Sequence, residues 1–534
     1  MDTDAPSLQI PEQFNAADYF IDRHITEGRS ENIAILCAER TVTYGELFEA
    51  VNRVGNLLLR RETHKGERIA LLLPDIPEFA ESFFGAIKIG AVPVPMNTFL
   101  PSADYEYLLN DMEAQILITT SDLAKKITEI PSKRLLFLRD VITVDGWEDS
   151  IAKASPILEA AATGKDDVAF WLYTSGSTGK PKACVHLQHD MLVCYERYAK
   201  PIIKIQEKDR CFSVGKLFFA YGLGNSLYYP LGAGATAILL PEPAKSTAIF
   251  ETIRTYKPTL FFSIPSQYRD LLEKAEQYNF SKDDMASVRF CVSAGEVLPM
   301  TLFSTFKEKF GHEVLDSIGS TEALQAFITS RPNAVRPGSS GQIIPGYRAK
   351  IVDDAGNPVP CGEIGNLMIE SDAVCAYYWN QPEKTAAAIQ GSWLRTGDVY
   401  SEDNDGYFWY IGRADDMFKV NGLWVSPIEI EQAIAQHPAV AEVAVVGKRD
   451  DNGLTKPSAY VVLRAGANSS TAVARDENAL AEIKKGIEDI ASDTLSAYKR
   501  PQWITFVATL PRTGTGKLQR FLVREAPHNR EPYK

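Results

Sequence analysis

Ten consecutive residues, Tyr173-Thr174-Ser175-Gly176-Ser177-Thr178-Gly179-Lys180-Pro181-Lys182, combine hydroxyls, glycines and two lysines with almost no bulk. Glycine lets a backbone approach an anion closely and accepts φ > 0 without penalty. Hydroxyls, exposed N–H groups and ammonium groups supply donors for phosphate oxygens. The chemistry this composition suits is the gripping of a polyphosphate. It is not a Walker A loop, which needs Gly, four residues and then Gly-Lys-Ser/Thr; Gly176 and Gly179 stand too close together. A plain flexible turn is the competing reading. Against it stand the apolar run Val168-Ala169-Phe170-Trp171-Leu172, which feeds the loop as a buried strand, and the paired lysines that follow.

Four more stretches concentrate polar groups at expected loop positions. Asp316-Ser317-Ile318-Gly319-Ser320-Thr321-Glu322 offers a hard oxygen ligand suited to Mg²⁺ and a hydroxyl within reach of a phosphate; a helix-start carboxylate is the alternative. Trp393-Leu394-Arg395-Thr396-Gly397-Asp398 puts an acceptor at a tight turn, where it holds two ribose hydroxyls or merely caps the turn. Gly412-Arg413-Ala414-Asp415-Asp416 is a polar junction that, alone, reads as a linker. Pro511-Arg512-Thr513-Gly514-Thr515-Gly516-Lys517 is a second Gly/Thr loop ending in lysine, by itself a solvated tail.

The elements that must position these groups are legible in part. Thr43-Tyr44-Gly45-Glu46 has the form of a capping box, and Leu47, Val51, Val54 and Leu58 recur behind it at helical spacing. Apolar strands at Ile69 to Leu73, Ala91 to Val94, Ile116 to Ile118, Ala235 to Leu240, Thr259 to Ser263 and Val288 to Ser293 alternate with helices. Strands without polar alternation, separated by helices, predict parallel sheet covered on both faces. From about Gly341 short strands and turns predict a β-rich subdomain ending near Ile411-Gly412. A helix over Pro427 to Gln436, strands at Val440 to Val446 and Ala459 to Leu463, a helix over Ala479 to Leu495 and a strand at Trp503 to Val507 predict a small α+β domain.

Bulk properties narrow the function. A chain of 534 residues is too long for one core. With 45% hydrophobic and 23% charged residues it is not disordered, and a net charge of −13 argues against binding nucleic acid. No secretory signal is visible in Met1-Asp2-Thr3-Asp4-Ala5-Pro6, and no run reaches the roughly 18 apolar residues of a membrane span. The seven cysteines are scattered without CxxC spacing, which predicts reduced thiols in a cytoplasmic protein. His186 and His189, three apart, lack carboxylate or cysteine partners at metal-ligand spacing, so no structural metal site is expected.

The ordered set Tyr173–Lys182, Ile318–Glu322, Thr396–Asp398, Gly412–Asp416 and Gly514–Lys517 resembles the adenylate-forming superfamily of acyl-CoA synthetases, peptide-synthetase adenylation domains and luciferases. The resemblance covers most of the chain. It implies an α/β protein with a large N-terminal domain, residues 1–414, of parallel α/β sheets plus a β-rich subdomain. A small mobile α+β domain, residues 415–534, would follow, with the active site between the two. The implied reaction uses ATP, Mg²⁺ and coenzyme A: a carboxylate attacks the α-phosphate, pyrophosphate leaves, and a thiol then displaces AMP. The protein mostly positions groups and neutralises charge. By resemblance, Thr174, Ser175, Gly176, Ser177, Thr178, Gly179 and Lys180 hold the β- and γ-phosphates, Thr321 touches the α-phosphate and Glu322 binds Mg²⁺. Gly295, Glu296, Asp316, Ser317, Ile318 and Gly319 lie along the adenine; Asp398 and Arg413 hold the ribose. Lys517 matches the catalytic lysine and Asp415 the hinge, while Gly422 and the Lys499-Arg500 pair are implied CoA contacts, a solvated helix end being the alternative for that pair.

Lys216-Leu217-Phe218-Phe219-Ala220-Tyr221-Gly222-Leu223-Gly224-Asn225 is aromatic, glycine-rich and poor in charge, which suits a flat apolar pocket or a buried loop. With Ser293-Ala294-Gly295-Glu296, Leu298-Pro299 and the stretch Gly447 to Pro457, it is similar to benzoate and hydroxybenzoate CoA ligases. Phe219 would gate the thiol tunnel, and Ala220, Tyr221, Gly222, Ala294 and Gly319 would form pocket walls. Where benzoate ligases carry His-Ile or a similar pair, this chain has Gln325-Ala326: more room, and a hydrogen-bond donor that cannot be protonated. The expected acids are benzoate and simple substituted benzoates, then cyclohexene- or cyclohexane-carboxylates, then medium-chain acids. A stand-alone enzyme loading a carrier-protein thiol is the second class; no carrier domain follows Lys517. A non-catalytic relative is disfavoured because Lys517, Glu322 and Asp398 are all present. The sequence leaves open the oligomeric state, a homodimer being one arrangement, and any acetylation of Lys517.

Overall fold

The computed structural model describes residues 6–174, 181–421, 423–450, 452–464, 477–512 and 518–525. Thr43 caps the helix Tyr44–Arg60 through a capping box with Glu46, and Leu47, Val51, Val54 and Leu58 on its inner face are buried. Pro77 begins the next helix, Pro77–Lys88, where its fixed φ and missing N–H do no harm. Both helices are framed by strands, as the apolar spacing requires.

The protein is α/β. A nine-stranded sheet runs Gln342–Ile343, Ala326–Thr329, Val314–Gly319, Phe290–Ser293, Leu260–Ser263, Arg210–Ser213, Thr236–Leu239, Ile33–Cys37, Arg40–Thr43. Its central neighbours, from Ile33–Cys37 through Val314–Gly319, are parallel. A second, four-stranded sheet is parallel throughout: Val92–Pro95, Arg68–Leu72, Ile116–Thr119, Asp140–Thr143. Apolar side chains fill the faces, Phe212, Phe261, Tyr268 and Phe306 among them on the larger sheet. Each fully buried side chain of this size contributes roughly 1.5–3 kcal/mol.

A three-stranded sheet, Tyr377–Tyr378, Lys182–Leu187, Val168–Thr174, is antiparallel. The β-rich stretch forms a five-stranded sheet of Arg348–Val352, Gly365–Glu370, Trp393–Glu402 and Ile389–Gln390, with Phe408–Arg413 also on Trp393–Glu402. Trp393–Asp398 is therefore strand, not the tight turn its glycine suggested. Gly397, at φ +75, is accommodated inside the ten-residue strand, and Asp398 beside it is buried. Asp316–Gly319 likewise lies on a strand rather than in a loop. The Lys216–Asn225 stretch turns helical at Ala220–Leu223.

The chain divides into two compact units: Met1–Lys350 with Met368–Thr396 and Glu402–Trp409, and Ile351–Leu367 with Gly397–Ser401 and Tyr410–Lys534. The second holds its own sheet, Val440–Arg449, Thr455–Leu463, Trp503–Phe506, covered by the helices Pro427–Ile434 and Glu477–Thr494. Among the described residues no helix is long and apolar enough to cross a membrane. Among the described residues no cysteine is in a disulfide, and all but Cys361 are buried.

Candidate active site

The two ends of the glycine- and hydroxyl-rich motif lie on a pair of antiparallel strands. Val168–Thr174 pairs with Lys182–Leu187, the last pairs being Tyr173 with Ala183 and Thr174 with Lys182. Ser175, Gly176, Ser177, Thr178, Gly179 and Lys180 lie outside the described residues. The shoulders are held by Asp111, the last residue of the helix Ser102–Asp111. The Tyr173 hydroxyl donates to Asp111 Oδ2 at 2.6 Å. The Tyr107 hydroxyl lies 3.2 Å from both Asp111 Oδ1 and the Pro181 carbonyl oxygen. Trp379 Nε1 donates to the Asp111 carbonyl at 2.8 Å.

Thr321 and Glu322 follow the strand Val314–Gly319, and their backbone is fixed from outside. His186 Nε2 lies 2.9 Å from the Thr321 carbonyl, and its Nδ1 lies 2.8 Å from Asp190 Oδ2; imidazole and carboxylate are both fully buried. The Cys375 N–H donates to the Glu322 carbonyl at 2.7 Å. The Glu322 side chain is held as well. Its Oε1 accepts a hydrogen bond from the Tyr378 hydroxyl at 2.7 Å. Lys182 Nζ stands 3.9 Å from the same oxygen and 3.9 Å from the centre of the Tyr378 ring. Burial, followed by the neighbouring Glu322 charge, pushes the Tyr378 phenol far above its ordinary value, so it remains a donor. Among the described residues Glu322 Oε2 takes no hydrogen bond or ion pair.

On the nine-stranded sheet, Ser263 is in register with Ser293, and Ser293 with Asp316, so the three share one face. Ser263 Oγ, Ser293 Oγ and Asp316 Oδ1 are all buried without a hydrogen-bond partner among the described residues. Enclosure of the Asp316 carboxyl pushes its pKa well above the usual range, with the Ser317 N–H offsetting part of the effect. Ser317 Oγ donates to the Ser293 carbonyl at 3.0 Å, and Ile318 and Gly319 pair with Ile328 and Ala326. Beyond Ser293, buried Ala294 leads to Gly295 at φ +85. Glu296 caps the neighbouring helix by accepting from the Ser266 N–H and hydroxyl, both at 2.9 Å.

The expected acid-pocket residues form a contiguous wall. Gln325 is buried, and its Nε2 donates to the carbonyls of Ala220 at 2.9 Å and Tyr221 at 3.2 Å. The donor anticipated for substrate is thus engaged with the backbone. The Tyr221 hydroxyl lies 3.2 Å from the carbonyls of Ser263 and Val292. A methyl group on Gly319 would stand 2.4 Å from the Gln325 carbonyl oxygen, and one on Gly222 would stand 2.2 Å from that of Lys216; glycine is required at both. Phe219 packs edge-on against Phe218, ring centres 4.5 Å apart, and Ala326 is buried. The wall is anchored upstream by buried Lys216, whose Nζ donates to the Glu242 carbonyl at 2.6 Å, and by the Leu217 N–H bonded to Asp75 Oδ1 at 3.0 Å.

In the second unit, Arg413 Nη1 donates to Asp398 Oδ1 at 2.9 Å, and the Ala414 N–H donates to the Gly397 carbonyl at 2.9 Å. Asp415 follows the strand Phe408–Arg413, and its carbonyl accepts from Arg524 Nη2 at 3.1 Å. Lys499 is paired with Glu429 at 2.6 Å, and Arg500 caps the preceding helix through the Leu495 and Ser492 carbonyls at 3.1 and 2.9 Å. Lys517 and Gly422 lie outside the described residues.

Sequence reasoning left several participants unnamed: Asp111, Asp190, Tyr378 and, as a partner of Glu322, Lys182. Asp190 stands four residues after His186, but His186 lies on the strand Lys182–Leu187 and Asp190 opens the helix Asp190–Cys194, so the turn between them, not a helical repeat, brings the two side chains together. Tyr378 is an aromatic in an ordinary tyrosine pair, and only the tertiary structure brings it to Glu322. Among the described residues no group of three or more His, Cys, Asp or Glu is placed to hold a metal ion.

Parallel sheets, paired strands at the ends of the glycine motif and a braced Thr321–Glu322 pair suit a nucleotide-handling enzyme, and comparison with known proteins specifies the class. The AMP-binding enzyme family matches residues 22–379, and the AMP-binding enzyme C-terminal domain matches residues 429–517. The chain belongs to the AMP-binding enzymes, the adenylate-forming superfamily, on its benzoate–CoA ligase-like branch. It is 41% identical to a benzoate–CoA ligase of Thauera aromatica over 98% of both chains. It is also similar to the crystal structure of an anthranilate CoA ligase in complex with anthranoyl-AMP, with TM-score 0.89 and 38% identity over 96% of this chain and 97% of that one. A benzoate CoA ligase structure from Burkholderia xenovorans LB400 gives TM-score 0.86 and 40% identity, covering 96% of this chain and all of the other.

Proposed function

We propose that this protein joins benzoate, or a closely related aromatic acid, to coenzyme A through an acyl-adenylate, releasing AMP and pyrophosphate. The observation that carries the reading is the end-to-end likeness to the Thauera aromatica benzoate–CoA ligase, at 41% identity. The acid-binding wall supports it: apolar residues and glycines, with the Gln325 amide turned to the backbone rather than to a ligand.

In this reading Thr174 to Lys180 grip the β- and γ-phosphates, and Thr321 meets the α-phosphate. Asp316 and its neighbours line the adenine, Asp398 and Arg413 hold the ribose, and Lys517 places its charge where carboxylate and α-phosphate react. Asp415 is the hinge before a C-terminal domain at 415–534, and Gly422, Lys499 and Arg500 serve CoA, the last two on release from their internal partners. The residues present fit Mg²⁺, which commonly binds one or two carboxylates together with substrate phosphates. Glu322, with its unengaged Oε2, would be the protein ligand, and the ion would neutralise phosphate charge. Thr321 and Glu322 need no rearrangement for this, because His186 and Cys375 already hold their carbonyls. A cytoplasmic location and a homodimer complete the proposal.

A panel of carboxylates assayed for AMP release with and without CoA tests it. Benzoate-type acids are expected to release AMP at the highest rate and to yield the thioester when CoA is added. AMP release from aliphatic acids alone would overturn the aromatic assignment.

A further inference from the structure

We infer that Tyr378 is a positioning residue for adenylation: its hydroxyl holds Glu322 by one oxygen and leaves the other directed to the metal–nucleotide complex. The inference rests on the reading of Glu322 as the Mg²⁺ ligand. A glutamate side chain on the segment after a strand has rotational freedom that a metal site must remove. Here the constraint is a 2.7 Å hydrogen bond from the Tyr378 hydroxyl to Oε1, while Oε2 stays unengaged among the described residues. Lys182 adds to it, its ammonium 3.9 Å from Oε1 and 3.9 Å from the Tyr378 ring centre. The ring thus keeps a cation near the carboxylate without letting the two collapse into a short ion pair that would compete with the metal.

Tyr378 is itself well fixed. It is 4% exposed, it pairs with Cys184 in the antiparallel sheet, and its N–H donates to Thr385 Oγ1 at 3.0 Å. Tyr378 itself is assigned no contact with substrate in the proposed reaction, so its part is to orient Glu322. Partners that orient metal ligands typically change metal affinity by about 10–100-fold when lost.

Calorimetric ATP binding to the full chain, in Mg²⁺ and separately in EDTA, isolates this role. Tyr378→Phe keeps the ring and removes only the hydroxyl. ATP affinity in Mg²⁺ is expected to fall about tenfold, while affinity in EDTA and CoA attack on supplied acyl-AMP stay within about twofold of wild type. Unchanged CoA attack also certifies that the variant is folded. Equal losses in Mg²⁺ and EDTA would reveal general damage and overturn the proposal, as would no loss in either. If the wild type itself gains nothing from Mg²⁺, the metal reading of Glu322 falls first and takes this inference with it.

Discussion

Gln325 binds its own protein: its side-chain amide donates to the carbonyl oxygens of Ala220 and Tyr221, at 2.9 and 3.2 Å, in a buried setting. Those carbonyls begin the short helix Ala220–Leu223, so Gln325 fixes the segment proposed above as a wall of the acid pocket. A wall-setting residue and a substrate-binding residue respond differently to substitution.

Gln325→Leu leaves two carbonyls without their donor. The expected cost is about 1–3 kcal/mol of stability, read as a fall in Tm. The KM for the acid is expected to rise about tenfold, as roughly 1.4 kcal/mol of binding would require, with KM for ATP unchanged. Steady-state kinetics on both substrates, alongside a thermal melt, check it. An unchanged Tm would show that the two hydrogen bonds do not hold the wall.

A buried carboxyl supplies a pH signature. Burial, reinforced by Glu78, raises Glu81 from 4.5 to about 7, with Trp147 Nε1 donating to it at 2.7 Å. The folded state therefore holds a proton that the unfolded chain has released between those values. The stability so contributed is full below the unfolded pKa and is lost as pH rises through the folded one. Denaturant melts of wild type and Glu81→Gln are expected to show wild type losing about 3 kcal/mol relative to the variant between pH 4.5 and 8. A difference independent of pH would refute the assignment.

Lys517→Ala separates the two half-reactions. One unit charge about 4 Å from another is worth roughly 4 kcal/mol at an effective dielectric of about 20, which corresponds to about three decades in rate. Adenylate formation is expected to fall by about that factor, while CoA attack on supplied acyl-AMP is largely spared. Equal loss in both steps would contradict the role. Rapid-quench measurement of each step checks it.

The parallel core was legible because strands such as Leu260–Ser263 and Ile116–Thr119 are buried along their whole length, which leaves unbroken apolar runs between helices. The same signal is silent about direction. Val168–Thr174 is as apolar as they are, yet pairs antiparallel with Lys182–Leu187. Trp393–Asp398 read as a turn because glycine is the common turn residue; here Gly397 takes φ +75 within a strand whose neighbours continue the ladder. The motifs proposed for phosphate, Thr321 and Glu322 could be named from the sequence because each is a contiguous run of residues. Tyr378 and Asp111 act across 56 and 62 residues, and no local pattern encodes such a meeting.

Tyr173 and Pro181, at the two ends of the glycine motif, both meet the helix Ser102–Asp111, Tyr173 through the carboxylate of Asp111 and Pro181 through the hydroxyl of Tyr107. The spacing of the two strands at their open end is thus written into a helix terminus that carries no signature of nucleotide chemistry. A substitution of Asp111 would be felt first where these two strands part and, in the reading proposed above, at the triphosphate.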